Sequence, residues 1–167
     1  MIPNPKLKQK APLIADFDTD MLFTLSNSML KSLTHYKGIG LACTQLGLPI
    51  RMLVAHVNNT VYTMCNPVIT EQSGEYDSKE GCLSIPGYWD NVTRSNTIVI
   101  NYQDIRGRKI HDIIMGFNAS VIQHEMDHLD GILFIDHLSD IKQARARKKV
   151  DFWKRKNSLK HKTKRQK

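Results

Sequence analysis

The sequence reads NASVIQHEMDHLDG at residues 118 to 131, and this segment predicts a helix at the centre of the protein. It contains no helix breaker before Gly131, which is placed to end the helix. Asn118 is a residue type that commonly caps a helix start, so the helix is expected to run from about Asn118 to Leu129. Apolar residues occur on more than one side of the segment, which is typical of a helix buried in the body of a domain.

Two histidines of this segment are spaced to share one metal ion. His124 and His128 are four residues apart, so both imidazoles lie on one face of a helix. Glu125 follows the first histidine and is in position to take a proton from a water molecule near the ion. The pattern HExxH also arises by chance, as a helix with two surface or core histidines. A catalytic site therefore needs a third ligand from elsewhere in the chain.

Neither of the two downstream ligand patterns of familiar zinc peptidases is present. One such pattern needs a histidine ten positions after the first, where this chain has Phe134, and another needs a later glutamate, which this chain lacks. Cys82 stands out instead, because Gly81 beside it would let the backbone approach a metal or a substrate closely. A thiolate with two imidazoles leaves a fourth position open for water. The residues alone leave other candidates open, namely some aspartates and Cys43, Cys65, His35, His56, His111 and His137.

Helices and strands are predicted around the central segment. Residues 18 to 34 predict an amphipathic helix, with leucine and methionine at spacings of three and four and Asp18 or Thr19 as its cap. The chain is expected to be mainly β from about Ile50 to Met115, and the runs 52–57, 61–69 and 97–102 are rich in β-branched and aromatic residues. A third helix is expected after Ser139. These elements indicate an α+β fold.

Length and composition fit one ordinary globular domain. A chain of 167 residues can bury a sizeable core, and no apolar run is long enough to span a membrane. The first ten residues lack the apolar segment of a secretory signal, so a cytoplasmic location is expected. Three cysteines without a CxxC pair do not suggest a disulfide framework, and Cys65 is interpreted as a buried hydrophobe.

The net charge of +8 is divided unevenly along the chain. Residues 142–167 hold 13 Lys and Arg and one acid, whereas residues 1–141 hold 11 Lys and Arg and 15 Asp and Glu. We therefore predict a catalytic domain over residues 1–141 and a basic C-terminal helix or tail over residues 142–167. The basic block is either a solvated tail without a partner or an arm for RNA phosphates. Its last ten residues are expected to fray, because they have almost no apolar content.

Three separated stretches are similar to the motifs of the peptide deformylase family. Residues 38–45 read GIGLACTQ and resemble GxGLAxxQ, residues 80–84 read EGCLS and match that motif without a change, and residues 123–131 match QHExDHLxG. The order and rough separations of the motifs also fit, and the resemblance extends from about Asn4 to about Val150. Together with the predicted elements it implies antiparallel β-sheets around a central buried helix that carries HExxH, with a C-terminal helix.

The resemblance implies a metal-dependent hydrolase that removes the formyl group from the N-terminal formyl-methionine of nascent peptides and releases formate. Cys82, His124 and His128 would bind one divalent metal ion. Glu125 would move the protons, and Gln45 and the backbone N–H of Leu83 would donate hydrogen bonds to the oxyanion. The residues that would bind the substrate are Gly38, Ile39, Gly40 and Val121, although these could equally be an ordinary turn and plain core.

The identity of the metal and one substrate contact are less directly implied. Ligand types alone favour zinc, whereas the resemblance implies Fe²⁺ in the cell, with Zn²⁺, Ni²⁺ or Co²⁺ possible in a preparation. Several family members carry a basic residue near the position of Trp89, where it helps to hold the peptide backbone. Trp89 departs from this pattern, which affects the details of peptide binding and not the chemistry.

Competing functions and partners also follow from these patterns. An HExxH metallopeptidase that acts on internal amide bonds is the main alternative, and an RNA-binding module with a structural metal site is a second one. Formylated nascent peptides are the expected partners, and the basic tail predicts contact with ribosomal RNA. No membrane partner is expected.

Overall fold

Two antiparallel sheets and three α-helices make up the computed structural model, which describes the backbone of residues 1–164 and the side chains of residues 1–157. The α-helices are α1 (Thr19–Tyr36), α2 (Gly116–Leu129) and α3 (Asp140–Lys164). The strands are β1 (Gly40–Ala42), β2 (Met52–Val57), β3 (Thr60–Ser73), β4 (Tyr76–Cys82), β5 (Ile85–Arg94), β6 (Thr97–Gln103) and β7 (Lys109–Met115). Short 3₁₀ helices span Pro5–Lys8, Cys43–Leu46 and Phe134–His137. The predicted α+β class is confirmed.

The strands form one sheet of five and one sheet of two. The larger sheet has the order β1-β2-β3-β6-β7, the smaller one pairs β4 with β5, and every pair is antiparallel. The predicted β runs fall within β2, β3 and β6. Helix α1 follows its prediction, with the Asp18 side chain accepting a hydrogen bond from the Met21 backbone N–H at 3.0 Å.

Helix α2 is the buried centre of the fold. Ten of its fourteen residues are buried. One side of the helix packs into the main apolar cluster through Ala119, Ile122, Met126 and Leu129, and Gly131 follows the end of the helix with φ of +74°. The predicted central helix is therefore confirmed, and its polar residues are enclosed with it.

The start of α2 differs from the prediction. The helix begins at Gly116, and the side chain of Asn118 does not cap it. The Asn118 amide instead accepts from Asn58 at 2.8 Å and donates to the hydroxyl of Tyr62 at 3.0 Å. The helix starts early because Gly116 has φ of +59° and donates its N–H to the carbonyl of Asn96 at 2.7 Å, which turns the chain from β7 into the helix.

Helix α3 starts where it was expected and packs against the small sheet. Ala146 and Val150 are buried in a cluster with Ile85 and Val92 of β5. The backbone is helical through Lys164, in agreement with the high helix propensity of Lys and Arg, and fraying of the last ten residues stays a prediction. Residues 165–167 lie outside the described residues. No helix in the described part of the chain is long and apolar enough to cross a membrane.

Candidate active site

The three predicted metal ligands converge at the end of β4. The Sγ atom of Cys82 lies 3.1 Å from Nε2 of His128, and one ligand atom from each of Cys82, His124 and His128 lies within 4.8 Å of the others. The two imidazole planes cross at 82° with their centroids 5.0 Å apart. Among the described residues this is the one group of three potential ligands, so the other candidate histidines and cysteines do not form such a site.

Charge distinguishes Cys82 from the other two cysteines. Burial raises the pKa of the Cys82 thiol, but the imidazoles of His128 and His124 outweigh burial and hold this pKa well below its usual value. The thiolate is the form that binds metals. Burial raises the pKa of Cys43 and of Cys65 to about 12, so both remain thiols and pack in the core, as interpreted for Cys65 from the sequence.

Glu80 contacts the imidazole of His124 and fixes its orientation. Nδ1 of His124 lies 2.8 Å from Oε2 of Glu80, which leaves Nε2 of the ring free to bind a metal. Arg94 donates to both oxygens of Glu80, at 2.8 and 3.0 Å. Burial raises the pKa of Glu80, but the hydrogen bonds from His124 and Arg94 outweigh it and lower this pKa to about 2. A charged carboxylate therefore fixes the orientation of the ring.

The sequence analysis did not identify Glu80 as the partner of His124. A signal was present, because Glu80 and Cys82 are two residues apart on a strand and thus share one face. The network continues to the surface, since Asp127 accepts from Arg94 at 2.6 Å and lies 2.7 Å from Nε2 of His137. These contacts tie α2 to β4 and β5.

Glu125 lies beside the ligands with one oxygen unpartnered. Its side chain is buried, and Oε2 has no hydrogen-bond partner in the described structure. Burial raises the pKa of Glu125 to about 7, which suits a group that takes and returns protons at neutral pH. A Cβ atom on Gly40 would lie 2.7 Å from Cγ and 2.8 Å from Cδ of Glu125. Only glycine at position 40 leaves room for this carboxylate.

Gln45 and Leu83 both lie next to Cys82. Oε1 of Gln45 accepts from the Ala42 backbone N–H at 2.7 Å, so Nε2 faces the site, 3.5 Å from Sγ of Cys82 and 3.5 Å from Oγ of Ser84. Leu83 directly follows Cys82 in the turn between β4 and β5. The hydrogen bond to Oε1 fixes the side-chain amide of Gln45, so its N–H groups are oriented before a substrate binds.

A cavity of about 880 Å³ opens onto these groups. The predicted substrate residues all line it: Gly38, Ile39, Gly40 and Val121. Ile39 is half-exposed, and Val121 is buried where the cavity meets the main apolar cluster. The sequence reasoning did not place Trp153 here. Trp153 comes from α3, and no local pattern links that helix to the motifs.

The donor set fits a metal ion. Two imidazoles and a thiolate make three protein ligands, and the described residues supply no fourth, which is the pattern of a catalytic site and not of a closed structural one. The ring of Phe134 stacks on His124 with centroids 6.0 Å apart, at the position where some zinc peptidases have a further histidine. Fold and site thus define a metal-dependent hydrolase of the HExxH type in which a cysteine is the third potential ligand.

Comparison with known proteins confirms the resemblance seen in the sequence. The family model described as polypeptide deformylase matches residues 1–144, so the chain belongs to the polypeptide deformylase family and is a hydrolase. A peptide deformylase 3 of Shewanella oneidensis is 41% identical over 153 residues, covering 89% of this chain and 93% of the relative. A peptide deformylase of Thermotoga petrophila is 36% identical over 148 residues, covering 88% and 90%.

Solved structures agree with this assignment. A peptide deformylase from Legionella pneumophila superposes with a TM-score of 0.89 at 34% identity, covering 94% of each chain. A peptide deformylase from Ehrlichia chaffeensis also gives a TM-score of 0.89, at 30% identity, covering 94% of this chain and 96% of that one. Membership in this family does not favour the alternative of a peptidase for internal amide bonds.

Proposed function

We propose that this protein removes the formyl group from the N-terminal formyl-methionine of nascent peptides and releases formate. The observation that carries the proposal is the convergence of Cys82, His124 and His128 within 4.8 Å, beside Glu125, whose Oε2 atom is buried and has no hydrogen-bond partner in the described structure. Family membership supplies the reaction class. A formyl amide is small enough for its carbon to reach such an enclosed centre, and the rest of the peptide would lie in the cavity.

Cys82, His124 and His128 would hold one divalent metal ion. When bound, such an ion polarises the scissile carbonyl and lowers the pKa of water at the open position. We propose Fe²⁺ as the ion in the cell. Zn²⁺, Ni²⁺ or Co²⁺ would bind the same donors, and the usual affinity order places all three above Fe²⁺. Elemental analysis of protein prepared without oxygen would test this assignment. Equal activity loss under air and under nitrogen would count against iron, because ferrous iron beside a thiolate oxidises readily.

Glu125 would act as the proton carrier. Its carboxylate takes a proton from the attacking water molecule and returns one to the amine that leaves. A pKa near 7 lets the side chain perform both steps at neutral pH, since it is neither a permanent acid nor a permanent base there. The close approach of Gly40 keeps the carboxylate in place between the two transfers.

Gln45 and the backbone N–H of Leu83 would stabilise the negative charge that develops on the formyl oxygen. The Gln45 amide is a neutral donor, so it lowers the energy of the charged oxygen without giving up a proton. Donors of this kind contribute about 100-fold to 1000-fold in rate when they are held in advance. The bond from Ala42 to Oε1 of Gln45 supports such a role.

The methionine side chain of the substrate would lie in the apolar part of the cavity. Ile39 and Val121 supply its walls, and Gly38 and Gly40 leave backbone open beside the site. A peptide in extended form could lie along these glycines, because they have no side chain to block it.

Formate release from formyl-Met-Ala-Ser by the metal-loaded wild type and by Glu125→Gln tests the proposal. We expect activity on the peptide, a loss of about 100-fold to 10,000-fold in the variant, and equal metal content in both. Cleavage of casein without release of formate would indicate a peptidase instead. Full activity of Glu125→Gln would disprove the assigned role of this residue.

We further propose that residues 1–141 act as the catalytic domain and that the basic segment 142–167 contacts ribosomal RNA in the cytoplasm. Exposed cations along α3 support this contact, because Lys and Arg side chains that neutralise RNA phosphates release the counterions bound to the RNA. The test is co-sedimentation of Lys148→Gln/Lys149→Gln with ribosomes at low salt. Lys31→Gln/Lys109→Gln is the matched control, since both of its positions are exposed outside α3. Equal co-sedimentation of both variants and the wild type would exclude the contact.

A further inference from the structure

The catalytic cavity contains both tryptophans of the chain. The sequence has two tryptophans, Trp89 on β5 and Trp153 on α3, and both line the cavity that holds Cys82 and Glu125. They come from different elements and lie outside the metal centre and its proton carrier. Neither indole therefore has a role in metal binding or in proton transfer.

Trp89 covers the backbone next to a metal ligand. It pairs with Gly81 across β4 and β5, and a Cβ atom on Gly81 would lie 2.5 to 2.6 Å from three atoms of the indole ring. The ring therefore rests directly on the peptide that precedes Cys82. The side chain is nevertheless 63% exposed, so its other face is open at the cavity. A large apolar surface held open beside a reaction centre is suited to a ligand.

Trp153 reaches the cavity because of how α3 packs. Ala146 and Val150 are buried against β5, and Trp153 follows them on the same face of the helix at the next spacing of three. Its Cδ1 atom would be 3.8 Å from a Cβ atom on Gly87 in the same strand. The docking of α3 thus brings one side chain of the basic segment into the catalytic cleft.

We propose that Trp89 and Trp153 bind the substrate residues that follow the formyl-methionine and make the enzyme favour large apolar or aromatic side chains there. This inference rests on the proposed function and extends it. The occupant is the substrate peptide itself, because the surface around the two indoles is continuous with the site where its first residue would react. Indole faces gain most from flat apolar groups, and one such contact is worth about threefold to tenfold in affinity.

The test compares three peptides that share the same first residue. These are formyl-Met-Ala-Ser, formyl-Met-Phe-Ser and formyl-Met-Ala-Phe. The readout is the kcat/KM of each phenylalanine peptide divided by the kcat/KM of formyl-Met-Ala-Ser. We expect the wild type to prefer at least one phenylalanine peptide by about threefold to tenfold. Trp89→Ala and Trp153→Ala should lower the ratio toward one, and Trp89→Phe should keep most of it.

Phe152→Ala is the matched control for the helix. Phe152 neighbours Trp153 on α3, is 66% exposed and does not line the cavity, so its removal should leave the ratio unchanged. If Trp153→Ala does not fold, the ratio is measured in Trp153→Leu instead, because leucine keeps apolar volume and lacks the flat ring. A wild-type ratio near one, or equal ratios in the wild type and both tryptophan variants, would overturn the inference.

Binding can also be followed without turnover. Because both tryptophans lie in the cleft, tryptophan fluorescence, excited selectively over the tyrosines, reports on this surface. Titration of formyl-Met-Ala-Phe into metal-loaded Glu125→Gln should change the emission, and formyl-Met-Ala-Ser should do so only at higher concentration. Absence of formate release from every peptide would disprove the proposed function. Formate release without selectivity or fluorescence change would disprove only this inference.

Discussion

Gly40→Ala tests how tightly the fold positions the proton carrier. A methyl group at residue 40 would lie 2.7 Å from Cγ and 2.8 Å from Cδ of Glu125, and closer still to Oε1. Ordinary contacts between such atoms are about 3.5 to 4.0 Å, so the carboxylate must retreat by about 1 Å. Helix α2 is buried on the other side, which leaves little room for the backbone to follow.

A displacement of this size is large for a reacting group. Misplacement by about 1 Å can cost about 100-fold in rate, which corresponds to about 2.7 kcal/mol of activation free energy. We expect kcat for formyl-Met-Ala-Ser to fall by about this factor in Gly40→Ala. The metal content should not change, since the three atoms nearest to the added methyl group all belong to Glu125 and none to Cys82, His124 or His128.

Two further variants separate the steric cause from others. Gly38→Ala should lower kcat much less, because the atoms nearest its methyl group belong to Leu33, Leu83 and Gly40 and not to Glu125, and any loss of peptide binding there would appear in KM. In a double-mutant cycle, Gly40→Ala should cost little in the background of Glu125→Ala, which lacks the Cγ, Cδ and Oε1 atoms that the methyl group would meet. Fully multiplicative losses, or wild-type kcat in Gly40→Ala, would refute the steric reasoning.

Three other predictions follow from the site. Gln45→Leu, which removes a neutral donor, should lower kcat by about 100-fold to 1000-fold while KM changes little; an unchanged kcat would remove Gln45 from the reaction. Glu80→Gln should weaken metal binding by about tenfold to 100-fold in competition with a chelator, whereas the exposed Glu75→Gln should bind as the wild type does. In metal-free protein at pH 7, iodoacetamide should label Cys82 first and spare the high-pKa thiols Cys43 and Cys65, and bound metal should protect Cys82. Mass spectrometry of the labelled peptides would show whether this order holds.

The sequence alone determines the local parts of this protein. The spacing of His124 and His128 predicts that both imidazoles face one point, because residues four apart share a face of any α-helix. Residues 52–57 predict strand β2 with its observed bounds, since β-branched and other apolar residues in a short run suit a pleated, buried strand. The EGCLS motif distinguishes Cys82 from the other two cysteines, because only Cys82 has the motif residues on both sides of it in the chain. Each of these inferences depends only on residues a few positions apart.

The tertiary structure alone decides which distant residues meet. Glu80 and His124 are 44 residues apart and touch because β4 packs beside α2, and Trp153 reaches the cavity because α3 docks on β5 through Ala146 and Val150. Asn118 shows the same limit, because its amide bonds to Asn58 and Tyr62 across the fold and not to its own helix. Such contacts follow from the shapes of whole packed elements, and no short stretch of sequence carries that information.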